Sequence, residues 1–481
     1  MTSSSLRDPR RPTGYSRPLT ALFDATAIPA DRGGVGRYVE NLVPELVTLG
    51  VSVVVACQPR DRAGFEAAGA QKVVEIPAWG GRASGRLVWE QVSLPALARS
   101  VGATVIHSPH YTFPVFTRVK RVVTVHDLTF FTDPALHGRL KRVFFRTWIR
   151  AAKALRVTVV TPSRTTADEY RRLTHAAGSR VFAAPLGYDE TVFHVPSAAD
   201  VAQFRASLVP EPGEWVAFLG TLEPRKNVSA LVKAFAEVSA ARNPTAAESK
   251  TADSPGPVST ARAASGRTAP ALAAPALAAP APAAAAEAPV GRPALLLAGG
   301  AGWDTTVADA VADARSKGCD VRLLGYLPLD RLRSLLGGSL VAAYPSLGEG
   351  FGLPVLEAMA CGAAVLTTRR LSLPEVGGDA VAYCDVDSTS IANSLATLLS
   401  DATERRRLSA AGVERARVFT WRSCAENHVR AYRAALGGTR SGSPAAHPAA
   451  LYTSTPHTSA PHTSPPHAPA AGPAARGEEP A

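Results

Sequence analysis

The chain has 481 residues, enough for two domains of ordinary size with additional segments, and its 46% hydrophobic content supports packed cores. A formal charge of +12 favours acidic partners such as a nucleotide, an anionic membrane surface or nucleic acid; nucleic acid ranks last because no helix-turn-helix, zinc-finger or aromatic RNA-binding signature is present. Five cysteines, at positions 57, 319, 361, 384 and 424, form no CxxC pair and fit reduced thiols in a cytoplasmic protein rather than a zinc site.

Residues 1–17 form a polar leader carrying Arg7, Arg10 and Arg11, read as disordered. The apolar run 19–28 that follows is interrupted by Asp24 and makes a poor signal peptide, so export is not expected. No stretch reaches the roughly 18–20 apolar residues of a membrane span except the tract 269–286, whose recurring prolines would break a spanning helix. Short apolar runs at 20–24, 51–56, 104–107, 121–126 and 157–161 read as buried strands, with helical patterns between them. One such helix, 37–49, places Tyr38, Leu42, Leu46 and Leu49 largely on one face. A second series of strands starts at 215–220 and continues at 294–298, 320–324, 340–344, 363–367 and 380–383. This alternation predicts two α/β domains with parallel sheets and a cleft between them. Residues 243–293, dominated by Ala, Pro, Ser and Thr, separate a helix at 228–240 from a strand and read as a disordered insertion. The tail 437–481 reads the same way.

The strand-to-helix turns carry the candidate chemistry. Gly33 and Gly34, in the turn 31–38 after the first strand, allow close approach of backbone to phosphate or sugar. His126 and Asp127 close another apolar strand and would face the cleft, where a histidine can exchange hydrogen bonds with a reacting sugar; His107 and His110 are weaker cleft candidates. The segment 137–155 sets Arg139, Lys141, Arg142, Arg146, Arg150 and Lys153 beside Phe144, Phe145, Trp148 and Ile149. That composition suits an anionic lipid surface, or equally an aromatic face packed on the sheet.

Arg225 and Lys226 follow the first strand of the second series, where ligands of open α/β sheets sit, and can clamp a diphosphate. The most informative stretch is 348–362, GEGFGLPVLEAMACG. It puts Glu349 and Glu357, with seven residues between them, across a glycine-rich loop and a helix start. Gly350, Phe351, Gly352 and Leu353 lie between the two acids. Pro354 suits the first helical position, and Glu357 is expected within the first turn, directing its carboxylate to ligand hydroxyls while the free amides attract phosphate.

Together with GGVGRY (33–38), VTVHDLTFF (123–131) and EPRKN (223–227), this stretch resembles the retaining GT-B glycosyltransferases of family 4, the glycosyltransferase group 1 family. The resemblance covers roughly 18–436 without the insertion. It implies an 18–200 Rossmann-like acceptor domain, a 201–420 Rossmann-like nucleotide-sugar domain, and a terminal helix at 421–436 that crosses back to the first domain. The implied reaction moves a sugar from a nucleotide-diphosphate donor to an acceptor hydroxyl with retention, using no cofactor and no metal. Arg225 and Lys226 would bind the diphosphate, Glu357 the ribose, Glu349 the donor sugar, and His126 would lie near the transferred sugar. Gly33 and Gly34 would approach the donor phosphate or the acceptor, and Gly325 and Tyr326 the base. Thr221 departs from the pattern, standing where many relatives carry a further Arg. The variants look most like bacterial mannosyltransferases acting on polysaccharide or lipid-linked acceptors. GDP-mannose is therefore the expected donor, with UDP-glucose, UDP-galactose and UDP-N-acetylglucosamine open. The expected location is cytoplasmic, with peripheral contact at the inner membrane face as a variant. A nucleotide-sugar epimerase and a non-catalytic partner protein of the same architecture are the competing readings.

Overall fold

The computed structural model describes residues 19–29, 32–134, 137–241 and 293–437. The expected leader, the insertion up to residue 292 and the tail from residue 438 lie outside the described residues. Seven strands form the first sheet: β1 (Thr20–Asp24), β2 (Ser52–Cys57), β3 (Lys72–Glu75), β4 (Val105–Ser108), β5 (Lys120–Thr124), β6 (Thr158–Thr161) and β7 (Val181–Ala183), in the order 3-2-1-4-5-6-7. Six form the second: β8 (Trp215–Leu219), β9 (Ala294–Ala298), β10 (Val321–Gly325), β11 (Val341–Tyr344), β12 (Val365–Thr368) and β13 (Ala382–Cys384), in the order 10-9-8-11-12-13. Neighbouring strands in both sheets run parallel. Helices cover both faces of such a sheet, which is why its strands read as continuous apolar runs. The sequence runs missed β3 and β7. These are the outer strands of the first sheet, four and three residues long, and β3 begins and ends on exposed charged residues.

Strand order reverses between β1 and β4 in the first sheet and between β8 and β11 in the second. Crevices at such switch points hold the ligands of open α/β sheets, outside the carboxyl ends of the strands. The chain leaves β8 toward Arg225 and Lys226 and leaves β11 toward Glu349.

The helix Trp421–Ala435 is started by Thr420, whose hydroxyl accepts from Ser423 N at 3.1 Å. It docks on the first half of the molecule. Tyr38, on the helix Gly33–Thr48, donates to His428 at 2.7 Å, and Tyr432 donates to His107 on β4 at 2.7 Å. His107 is thereby corrected as a cleft candidate: it is fully buried on the face of the sheet that Phe23 shares, with ring centroids 4.5 Å apart. His110 sits among rings too, 5.0 Å from Tyr111 and 5.8 Å from Phe145.

The basic aromatic segment forms the helix Arg139–Ala154. Phe145 and Ile149 are buried, and Trp148 packs edge-on against Phe113 at 5.0 Å. The aromatic face therefore packs on the sheet, leaving Leu140 and Val143 as the apolar groups exposed beside Arg139 and Lys141. Among the described residues no helix is long and apolar enough to cross a membrane.

Candidate functional site

Glu349 is the centre of a buried polar cluster at the carboxyl ends of β8 and β11. After β8 a 3₁₀ turn, Pro224–Lys226, ends at Asn227 in the left-handed conformation (φ 59°), and Leu347 N donates to Arg225 O at 2.8 Å, tying this turn to the segment after β11. Arg225 Nη1 donates to Glu349 Oε2 at 2.6 Å and Lys226 Nζ to Glu349 Oε1 at 2.6 Å. The hydroxyls of Tyr344 and Ser346 each donate to Oε1 at 2.9 Å, and Lys226 also donates to the Tyr344 hydroxyl. Arg225 further holds Gly348 O at 2.9 Å and Glu223 at 2.7 Å. Burial would push the Glu349 carboxyl up, but the two cations and the hydrogen bonds outweigh it and hold the pKa down at about 2. Lys226 moves down from its ordinary value because it is buried and lies beside Arg225, with Glu349 opposing the shift.

The glycine loop then enters the helix Leu353–Ala360 through Gly352 at φ 110°, a conformation that a side chain would strain. Because Gly352 is the cap, Leu353 is the first helical residue and Pro354 the second. Glu357 accordingly sits in the second turn rather than the first. Its pKa is raised, burial being opposed by Arg37 on the helix Gly33–Thr48, which pairs with Oε1. Oε2 is buried with no hydrogen-bond partner. An orphaned buried acceptor of this kind is costly unless a donor reaches it. The Arg37 guanidinium also stands 5.6 Å from the Phe193 ring.

One of the glycines acts differently from the sequence expectation. A Cβ on Gly350 would lie 1.7 Å from His126 O, so what approaches this glycine is the backbone after β5. Phe351 points inward, 4% exposed, with its ring 5.7 Å from that of Phe419. Gly33 and Gly34 are the first two residues of their helix and have open space where a Cβ would stand. His126 is half-buried and donates Nε2–H to Pro109 O at 2.7 Å, which leaves Nδ1 as the ring's acceptor. Burial lowers its pKa, keeping the ring neutral. Gly325 ends β10 at φ 66°, and Tyr326 beside it is 70% exposed. Asp387 caps the helix Ser388–Ser400, accepting from Ser390 N at 2.9 Å. No group of three or more potential metal ligands occurs among the described residues.

The structure thus joins Arg225, Lys226, Glu349, Glu357 and the backbone of His126 around one loop. The sequence reading did not assign Arg37, Tyr344 or Ser346. Arg37 carried a signal: it lies one helical turn after Gly33, on the helix that the glycine turn begins. Arg37→Ala is expected to cost about 1–2 kcal/mol, since Arg37 itself is partly exposed while its partner is buried. Urea denaturation of the single variants and of Arg37→Ala/Glu357→Gln reads it, the double variant losing less than the sum.

Residues 32–192 match the model of Glycosyltransferase Family 4, and residues 284–415 that of Glycosyl transferases group 1. The chain belongs to this GT-B glycosyltransferase family. O-antigen chain mannosyltransferase B of Escherichia coli is 26% identical over 331 residues, 68% of this chain and 74% of that one. MMP alpha-(1->4)-mannosyltransferase of Mycolicibacterium hassiacum is 40% identical over 114 residues, only 22% of this chain and 27% of its own length. Among solved structures, sucrose-phosphate synthase of Thermosynechococcus elongatus superposes with a TM-score of 0.61 at 19% identity, covering 87% of this chain and 98% of that one. HepE of Anabaena in complex with UDP-glucose gives 0.59 at 15% identity, covering 85% and 97%. These two show the shared fold.

Proposed function

We propose that this glycosyltransferase moves mannose from GDP-mannose to a hydroxyl of a polysaccharide, lipid-linked or small glycoside acceptor, with retention of configuration and without a metal. The observation that carries the reading is the Arg225–Glu349–Lys226 cluster at the switch point of the second sheet. Lys226 spends two of its three donors on Tyr344 and Glu349, and Arg225 three of its five on Gly348, Glu349 and Glu223, so each cation retains donors for a diphosphate. Negative charge grows on that diphosphate as the glycosidic bond breaks. Fixed cations in a site shielded from water lower the barrier to this step. The departing phosphate takes the acceptor's proton, so the incoming hydroxyl attacks from the face the leaving group vacates. Glu349 orients sugar hydroxyls from a carboxylate that stays ionised, Glu357 Oε2 accepts from the ribose, and His126 Nδ1 accepts from a hydroxyl of the transferred sugar.

Mannose is chosen over other hexoses because two relatives matched over different lengths carry mannosyltransferase names. Guanine is the base expected with it, and the UDP-glucose complex of HepE makes uracil the competing one. A lipid-linked acceptor at an anionic membrane surface is the variant that exposed Leu140 and Val143 beside Arg139 and Lys141 favour.

A thermal-shift series with GDP, UDP, ADP and their sugar conjugates tests the donor. A ligand at 100 times its Kd stabilises by about 2.7 kcal/mol, and GDP with GDP-mannose are expected to raise Tm selectively. Selective stabilisation by UDP compounds would transfer the proposal to a uridine donor, and no shift with any nucleotide would overturn it. Release of GDP without an epimerised sugar separates the transferase from an epimerase.

A further inference from the structure

The loop that carries Glu349 is held by its backbone from both halves of the molecule. Three successive carbonyls face two hydroxyls: the Ser372 hydroxyl shares its one proton between Glu349 O at 2.7 Å and Phe351 O at 2.8 Å, and Thr166 donates to Gly350 O at 3.1 Å. Ser372 precedes the short helix Leu373–Gly377 in the second half, whereas Thr166 lies in the first turn of the helix Arg164–Thr174 in the first half. A loop clamped in this way keeps its geometry only while those two helices stay in register.

One side chain joins them. Glu375 Oε1 accepts from Arg164 N at 2.9 Å, and Oε2 accepts from Thr165 N at 3.0 Å and from the Thr165 hydroxyl at 3.1 Å. These are the first two amides of the helix, which have no partner within it, and a carboxylate there also answers the positive end of the helix dipole. Ser163 caps the third amide through Thr166 N at 3.0 Å and donates to the Thr166 hydroxyl at 2.9 Å, which aims that hydroxyl at Gly350. On its other side the Glu375 backbone is anchored by Arg415, which donates to Glu375 O at 2.7 Å and Val376 O at 3.0 Å.

We propose that Glu375 is a positioning residue: by locking the Arg164–Thr174 helix onto the second half it holds the 349–351 carbonyls, and so sets Glu349 for reaction when the two halves are closed. The inference rests on the reading that Glu349 faces the donor sugar. It assigns Glu375 no contact with substrate. Arg225 and Lys226 fix the Glu349 carboxylate from one side, and the Glu375 latch fixes the backbone that carries it. Separation of the halves would therefore remove the Thr166 contact from the loop together with the Glu375 contacts from the helix.

Hydrogen–deuterium exchange of the full-length protein, compared among wild type, Glu375→Ala, Glu375→Gln and Glu375→Asp, tests it together with GDP release from GDP-mannose. In the Ala and Gln variants, exchange is expected to quicken over 164–166 and also over 349–352. The kcat for GDP release should drop about tenfold or more, as misplacement of a reacting group does, with KM within about twofold of wild type. Glu375→Asp should recover part of both. Exchange that quickens over 164–166 alone would reduce Glu375 to a helix cap and overturn the proposal, as would a raised KM at unchanged kcat. A wild type that does not turn over GDP-mannose would sink the donor assignment, whereas the exchange comparison would still decide the latch.

Discussion

Glu349→Ala is expected to lower the stability of this protein by about 3–5 kcal/mol, the range found when one member of a buried ion pair is removed and its partners stay charged. Arg225, Lys226 and the Tyr344 hydroxyl would all lose an acceptor inside a cluster where Lys226 and Glu349 are almost inaccessible to water. Glu349→Gln keeps the shape and one acceptor oxygen, so it should cost less stability while turnover still falls on the order of a hundredfold through loss of a preorganised charge. Urea denaturation separates the two effects from nucleotide-release rates. Equal stability of wild type and the Ala variant would show that the cluster is not paired in solution. The pH dependence follows from the depressed pKa of about 2 against an ordinary 4.5. The stabilisation is complete above the unfolded value and is lost as pH falls toward the folded one.

The fold was legible because buried parallel strands announce themselves as short apolar runs, and β1 and β9 begin and end where those runs do. β3 and β7 were not legible. An outer strand with Lys72 and Glu75 at its ends carries too little apolar sequence to stand out, and its hydrogen bonds depend on β2 lying beside it. At the site, Glu349, Glu357, Arg225 and Lys226 were visible as residue types at helix and strand ends. Their mutual pairing was not, since it depends on Arg225 and Glu349 being 124 positions apart in sequence and 2.6 Å apart in space. The pairs Arg37–Glu357 and Glu375–Thr165 are hidden for the same reason, each spanning both halves of the molecule. His107 was misread because a histidine at a strand end invites a cleft assignment. Only the register with Phe23 on β1 shows which face it takes.

Acidification from about pH 6.5 toward pH 4 is expected to weaken the docking of the terminal helix progressively, because it depends on two histidines that must be neutral. His428 Nδ1 faces Cys424 O at 2.8 Å, and a carbonyl can only accept, so Nδ1 carries the proton and Nε2 accepts from Tyr38. Tyr38 in turn accepts from Thr124 at 2.8 Å, Thr124 accepts from His107 Nε2–H at 2.9 Å, and His107 Nδ1 accepts from Tyr432. One backbone carbonyl thus sets the direction of every proton in the chain. A second proton on either ring would turn an acceptor into a donor facing a hydroxyl that already donates there. Burial accordingly pushes His428 down to about 4 and His107 well below its ordinary value. Since the folded pKa lies below the unfolded value near 6.5, the unfolded chain binds protons first as pH falls, and stability drops through that window until the folded group titrates. For His428 alone the loss between pH 6.5 and 4 amounts to about 3 kcal/mol, at roughly 1.4 kcal/mol per pH unit. Urea denaturation across this range measures the slope. His428→Gln, which has no titrating ring, should reduce that slope by about 1.4 kcal/mol per pH unit, and a variant with the wild-type slope would remove His428 as the group responsible.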